Sequence, residues 1–504
     1  MDRRVLIALA LMMAIALLPA VLFKRPPRRV PPADSAVTAV PPVAPLPPPV
    51  ITAAPGADTT PARVVRVNSP LFSYGISTRG ARLVESVLRQ YRSLEPGTRD
   101  SAAQLMPEPS DVLGLRLVAG GDTLLLRDWD FSPSADEVEV TTAGTALTFS
   151  ASRGEVTVQL VYRFRPDNYL ISVDGRVTGL GPAGGVLLVG LGPGIANVES
   201  DSVEHQTNLA IVTKGARESE KKNFSSLERE APTELGGPFQ WVAVKSKYFV
   251  TALFSVDSTD GSAGRLSGVR AAPIDARRRP TRADIQVGLP VTAAGDFQYW
   301  LYSGPMEYDR LRGMGHDFYD VNPYGWPGFR TIIRPVAVGA RWLLVKMRDF
   351  GIAYGWGLVL FGIFVRLALW PLNQKAMRAS MAMQAVQPLM KDVQERYKND
   401  PQRLQQEMFK LYKEHKVNPL GGCWPMLLPM PILFALFFVF QNTIELRGAP
   451  FLWLTDLSRP DPLYIIPVLM GVSMYAVTKI GQMGMPPNPQ MKMMLYIMPV
   501  MMTV

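Results

Sequence analysis

Val5–Phe23 is a run of 19 apolar residues without a charge, and it sets the medium in which part of this chain must sit. As an α-helix it would reach about 28 Å at 1.5 Å per residue, close to the ~30 Å hydrocarbon layer of a bilayer. Arg3 and Arg4 precede it, and Lys24, Arg25, Arg28 and Arg29 follow it. Short basic starts of this kind are often cleaved signal peptides. Here the one suitable small-residue pair, Ala14 and Ala16, lies inside the run, which favours an uncleaved anchor over residues 1–25. Four further apolar runs close the chain: Ile352–Trp370, Gly421–Phe440, Leu463–Ile480 and Met491–Val504. The first three read as spans. The last, at about 21 Å of helix, is too short to cross and reads as a truncated span, with the expectation that the natural product continues past Val504.

Between these apolar ends the composition changes twice. From Pro26 to Pro61 there are 12 prolines in 36 residues, a semi-rigid tether that cannot form a packed core. Residues 62–325 then read as β structure. Ala146–Ser150, Val156–Phe164, Tyr169–Val177, Trp241–Val256 and Ala283–Tyr302 are period-2 or β-rich runs bounded by Gly, Pro, Asp or Asn. Strands without helical periods between them predict a sandwich of antiparallel sheets. Over residues 329–350 the period becomes helical. Ile332, Ile333, Val336, Leu343, Leu344 and Met347 share one side, with Arg334, Arg341 and Arg348 mostly on the other. That predicts an amphipathic helix in the membrane interface; the competing reading is a helix docked on the β domain.

Loop charges orient the set. The 53 Lys and Arg exceed the 43 Asp and Glu, but the excess flanks apolar runs, where it reports membrane orientation and not nucleic-acid binding. Residues 373–420 carry nine basic and five acidic residues, the cytoplasmic signature, whereas 442–462 carry two and three. The β domain then lies outside and the N-terminus inside. The fold class is a polytopic α-helical membrane protein with a large external all-β domain. The cytoplasmic loop reads as a helical hairpin. Val386, Met390, Val393 and Tyr397 form one stripe, Leu404, Met408, Leu411 and Tyr412 the other, and Asn399-Asp400-Pro401 the turn.

Chemistry-bearing residues are few. One cysteine, Cys423, and three histidines exclude a disulfide scaffold, a Cys-based cluster and a His-rich metal site. Gly190-Leu-Gly-Pro-Gly194 contains Pro193 and precedes no helix signal, so it reads as a turn. Asp201, Glu204 and His205 read as a solvated loop. With no catalytic constellation, neither an enzyme nor a cofactor or metal is expected. Arg366 is the sharpest residue: a guanidinium in a span costs ~2.5–3.5 kcal/mol on insertion scales and cannot deprotonate. It lies about 6 Å of rise inside the cytoplasmic end. Two readings stand, snorkelling to nearby headgroups and a water-filled cavity open to the cytoplasm. Of 24 methionines, 17 fall from residue 370 onward, and such flexible thioethers suit promiscuous apolar contacts.

Several motifs carry a family resemblance. Lys416-Val-Asn-Pro-Leu-Gly-Gly-Cys-Trp-Pro425, Met430-Pro431, Glu445-Leu-Arg447, Ala449-Pro450-Phe451, Leu469-Met-Gly-Val472 and Met498-Pro499-Val500 resemble the YidC-type insertases of the Oxa/Alb family. So do Gln406-Glu407-Met408 and Leu411-Tyr412-Lys413 in the hairpin, while Trp241-Val-Ala-Val and Tyr248-Phe249 are similar to the Gram-negative form. The resemblance implies an inner-membrane insertase and chaperone without cofactor, its β domain a periplasmic supersandwich similar to sugar-mutarotase domains. It implies a groove open to the cytoplasm and lipid at Arg366, Gly362, Pro429 and Met430, and a substrate-sliding surface at Phe434, Phe438, Val468 and Val472. The implied hairpin surface is Met390, Tyr397, Met408 and Tyr412. Nascent membrane proteins, lipid, the Sec translocon, the ribosome and the signal recognition particle receptor are the implied partners, with no direct nucleic-acid contact. Pro429 stands where many relatives have Gln, and the rest of the fifth family span, the sixth and any basic tail lie outside this sequence. The alternative is a membrane-anchored periplasmic glycan-binding or glycan-modifying protein, which requires a carboxylate or His pair in a sugar-sized cleft. A small-solute transporter would show internal repeats of broken helices, and the sequence contains none.

Overall fold

Along Val156–Phe164 the side chains of Val158, Leu160, Tyr162 and Phe164 are buried while Thr157, Gln159 and Arg163 are exposed. This alternation is what a pleated strand with one wet face requires. The computed structural model describes residues 61–504 except 100, 180–183, 230, 257–265, 276, 326–328, 399, 416–429, 482–488 and 504. The expected anchor and all but the last residue of the proline-rich linker lie outside the described residues.

Three sheets build the β domain. The nine-stranded sheet is centred on Phe249–Ser255, Asp296–Pro305, Leu170–Thr178 and Val156–Phe164, paired antiparallel in that order. A six-stranded sheet runs through Leu266–Pro273, Ala283–Val291 and Gly185–Gly190, and a five-stranded sheet through Leu83–Arg92, Phe72–Ser77 and Val64–Asn68. Two of the β-rich runs turn out to be pairs of strands. Trp241–Val256 folds back at Ser246 as a hairpin. Ala283–Tyr302 changes sheet: Ala283–Val291 belongs to the six-stranded sheet and Asp296–Pro305 to the nine-stranded one. Gly295 makes that change possible, since it sits at φ +77° with a would-be Cβ driven into the Val177 carbonyl oxygen.

One continuous core takes side chains from all three sheets, including Val67, Tyr74, Tyr162, Leu187, Ile285 and Leu301. Two of its tyrosines keep their hydroxyls paired inside it. Tyr74 Oη donates to Ser303 O at 3.0 Å and Tyr162 Oη to Ala81 O at 2.8 Å, which avoids the cost of a buried unpaired donor.

Nine helices are seen among the described residues: α1 Ser202–Asn208, α2 Tyr308–Gly313, α3 Arg330–Asp349, α4 Tyr354–Ala368, α5 Trp370–Arg396, α6 Pro401–Glu414, α7 Met430–Asn442, α8 Ile465–Gly481 and α9 Pro489–Thr503. The expected spans at 352–370 and 463–480 appear as helices of 15 and 17 residues, and the described part of 421–440 as α7. No helix among the described residues is long and apolar enough to cross a membrane. Asp201, Glu204 and His205 correct the sequence reading of a solvated loop. Asp201 caps α1, accepting from the Val203 and Glu204 amides at 2.9 and 3.0 Å, and His205 is buried with Nε2 3.1 Å from Ile195 O.

The amphipathic helix is α3, and its buried stripe is Ile333, Ala337, Ala340, Arg341 and Leu344. It packs with Phe361 of α4 and with Ala435 and Val439 of α7. Arg341 therefore lies on the inner side, not the polar one, and Ile332 is turned outward and exposed. The hairpin forms from α5 and α6, starting at Trp370 and not at 373. Val386 and Leu411 are buried together, with Met390 and Val393 packed against them, and Asp400 Oδ1 caps α6 by accepting the Arg403 amide at 3.1 Å. Leu411→Ala is expected to cost about 2 kcal/mol of local stability, read as faster amide hydrogen exchange across the hairpin with the β domain unchanged.

Candidate functional site

Gly362 and Arg366 lie one turn apart on α4, and both are exposed. A Cβ built at Gly362 meets nothing within 4 Å, so a larger side chain fits there without strain. Around them Val359, Ile363, Phe364 and Leu367 also face outward. The exposed surface is thus a broad apolar face carrying one cation, and among the described residues that cation has neither an ion pair nor a hydrogen bond.

The other candidate residues are distributed. Met430 opens α7 and is exposed; Pro429 lies outside the described residues. Phe434 and Phe438 are half-buried against the cluster that joins α3, α4 and α7. Val468 and Val472 are exposed, one turn apart on α8, which packs along α9 through Gly471 and the Tyr475–Tyr496 ring pair. In the hairpin Met390, Tyr397, Met408 and Tyr412 are half-buried. Exposed apolar side chains recur on α4, α7, α8 and α9, far more surface than isolated exposed leucines on a water-facing protein would present.

What sequence reasoning missed is how the helices are held to the β domain. Arg341 on α3 is only 5% exposed. Its Nη1 donates to Asp309 of α2 at 3.0 Å, and its Nε and Nη2 donate to Glu445 at 3.1 and 2.5 Å. Two residues on, Arg447 reaches into the β domain: its Nε meets Glu199 at 2.9 Å, Nη1 donates to Arg92 O and Nη2 to Val198 O, both at 2.8 Å. Ile444 is buried in the β core itself. The signal was present, because Glu445-Leu-Arg447 stood out as a motif, but nothing in the sequence named its partners.

Burial pushes the Glu199 carboxyl up to about 7 even though Arg447 opposes the shift. Lys245 is brought down to about 7, by burial first and then by Lys221, while its Nζ donates to Asn322 Oδ1 at 2.7 Å. Among the described residues no cluster of three His, Cys, Asp or Glu is arranged to hold a metal. A cleft of ≈ 330 Å³ beside α1 does gather Glu199, Asp201, Glu204, Asp456 and Asp461. Each is already engaged: Glu199 by Arg447, Asp201 as a helix cap, and Glu204 by Lys247 at 2.7 Å. Asp456 accepts from the Gly448 amide, and Asp461 from the Leu463 and Ile466 amides.

The two parts of the chain match two family models that follow one another without overlap. Residues 64–337 match the YidC periplasmic domain, and residues 346–504 match the 60Kd inner membrane protein. The class is therefore a membrane protein with a periplasmic-type β domain joined to a helical membrane-protein segment. The membrane protein insertase YidC of Chlorobaculum tepidum is 31% identical over 87% of this chain and 77% of its own. That of Syntrophus aciditrophicus is 29% identical over 100% of this chain and 94% of its own. The chain belongs to the YidC family of membrane protein insertases. Among solved structures a galactose mutarotase related enzyme from Lactobacillus acidophilus is similar at 11% identity and a TM-score of 0.30, covering 48% of this chain and 97% of that one.

Two outcomes follow from the ion pairs. Arg341→Ala strands Glu445 in a half-buried site and should lower stability by about 3 kcal/mol, measured as a shift in the urea midpoint of the full chain. Glu199 binds its proton more tightly folded than unfolded, so stability should fall as pH rises from 4.5 toward about 7. Glu199→Gln should flatten that slope in pH-dependent melting.

Proposed function

We propose that this chain inserts membrane proteins from the cytoplasmic side, with the substrate span passing along α4 and α7 into lipid. The observation that carries the reading is Arg366: an exposed cation on an otherwise apolar helix face, in a chain of insertase family. Insertion is limited by the cost of moving polar flanks and unpaired backbone into hydrocarbon. A hydrated groove at Gly362, Arg366, Pro429 and Met430 shortens the distance over which that cost applies. In lowered dielectric, Arg366 attracts the acidic tail of a substrate. The substrate span then moves out along Phe434, Phe438, Val468 and Val472, driven by apolar burial in lipid.

In this reading the chain is a multi-pass protein of the bacterial inner membrane, with spans at 1–25, 352–370, 421–440 and 463–480 and a further one from 491. The N-terminus and the α5–α6 hairpin face the cytoplasm, and the β domain, a supersandwich, faces the periplasm. The thioether and aromatic stripes of Met390, Tyr397, Met408 and Tyr412 receive unlike clients or the ribosome and the signal recognition particle receptor. The Sec translocon is a further partner. No bond is made or broken, so neither cofactor nor metal is used.

The test is a photoreactive residue at Gly362 during synthesis of a small single-span protein with an acidic translocated tail. A crosslink that depends on nascent-chain length is expected, and its absence from folded protein overturns the reading. Arg366→Ala should lower insertion of that client about tenfold, the loss of roughly 1.4 kcal/mol of attraction, while Arg366→Lys retains most of it. Equal insertion by wild type and Arg366→Ala would remove the charge-attraction step.

A further inference from the structure

A cleft of ≈ 520 Å³ opens where the 443–462 loop meets the β domain, lined by Tyr91, Arg92, Arg99, Ser200, Gly448 and Arg459 among others. It is a second feature of the junction, apart from the groove at Arg366. Four arginines line it, Arg92, Arg99, Arg447 and Arg459, against two carboxylates, Glu445 and Asp456. Both carboxylates have partners of their own. Glu445 binds Arg341, and Asp456 is buried, its Oδ1 accepting from the Gly448 amide at 2.9 Å and from the Ser458 amide and hydroxyl at 2.8 and 2.7 Å. Arg447 is likewise committed to Glu199. Arg99 and Arg459 are exposed, and among the described residues neither forms an ion pair.

Positive charge is therefore in excess at the mouth of the cleft, in a residue type whose planar fork matches tetrahedral oxyanions. The position adds to this. The loop that forms one wall runs between α7 and α8, both of which expose apolar side chains along their length. With those helices in the bilayer, which rests on the function proposed above, the cleft stands at the level of the outer headgroups. We infer that it binds a phosphate-bearing anionic group, of which the lipid headgroup is the nearest source and soluble phosphate the other.

The experiment uses the full chain in nonionic detergent. Tm is followed during titration with dioctanoyl-phosphatidylglycerol, dioctanoyl-phosphatidylcholine and inorganic phosphate, for wild type and for Arg99→Glu/Arg459→Glu. Phosphatidylglycerol should raise Tm, phosphatidylcholine much less because its choline meets the arginines, and the double variant should bind about a hundredfold more weakly, tenfold for each lost charge-assisted contact. A response to inorganic phosphate equal to that of the lipid supports the site and makes soluble phosphate the ligand. Equal responses to the two lipids, no response to any ligand, or an unaltered response in the variant each overturn the inference. Should the double variant melt abnormally without ligand, Arg99→Gln/Arg459→Gln serves in its place. The Gly362 crosslink separates the two ideas: a crosslink without a lipid response removes the cleft alone. A lipid response without a crosslink removes the insertase reading and leaves the cleft.

Discussion

Two buried arginines hold the architecture together. Arg341 ties α3 to α2 and to the 443–462 loop, and Arg447 ties that loop to Glu199 and two β-domain carbonyls. A buried guanidinium is costly unless every donor direction finds an acceptor, and here those acceptors come from elements far apart in the chain. Glu199 and Arg447 are separated by 248 residues. The pairs therefore act as a geometric condition: loop, α3 and β domain reach full hydrogen bonding only in one mutual arrangement. That is a specificity argument more than a stability argument, since apolar packing alone would tolerate sliding.

This junction joins two unlike parts of the molecule. On one side lies a β domain whose core is continuous across three sheets. On the other, α4, α7, α8 and α9 turn large apolar side chains outward, a surface of the kind that marks a membrane or protein contact. Arg366 sits on that surface without a partner among the described residues, whereas every guanidinium nitrogen of Arg341 and Arg447 finds an acceptor. The contrast is one of use: Arg341 and Arg447 fix the geometry of the junction, and Arg366 takes no part in it.

The carboxylates sort in the same way. Glu199, Asp201, Glu204, Asp456 and Asp461 lie close enough to resemble an acid–base site, yet each is bound by an amide, a lysine or an arginine. Their proximity reflects the work of closing the junction, where loop ends and helix starts leave amides that need acceptors.

How much was legible in the sequence depended on the range of the interaction. The alternation in Val156–Phe164 and the hairpin stripes of Val386 and Leu411 are local patterns, and they appear in the structure at those places. Arg366 stood out because one charge in an apolar run needs no partner to be noticed. The side of α3 that carries Arg341 was misjudged for the converse reason: periodicity assigns an arginine to water unless an acceptor is known, and Asp309 and Glu445 are 32 and 104 residues away. The sheet change at Gly295 escaped for the same cause, since Val177 decides it through space; the burial of His205 did too, since it depends on Ile195 O. The sequence by itself determined the division into β and apolar helical segments, because burial period and composition are properties of neighbours along the chain. Only the tertiary structure decided which charges are locked and which stay available, because that depends on acceptors that folding alone brings within hydrogen-bond reach.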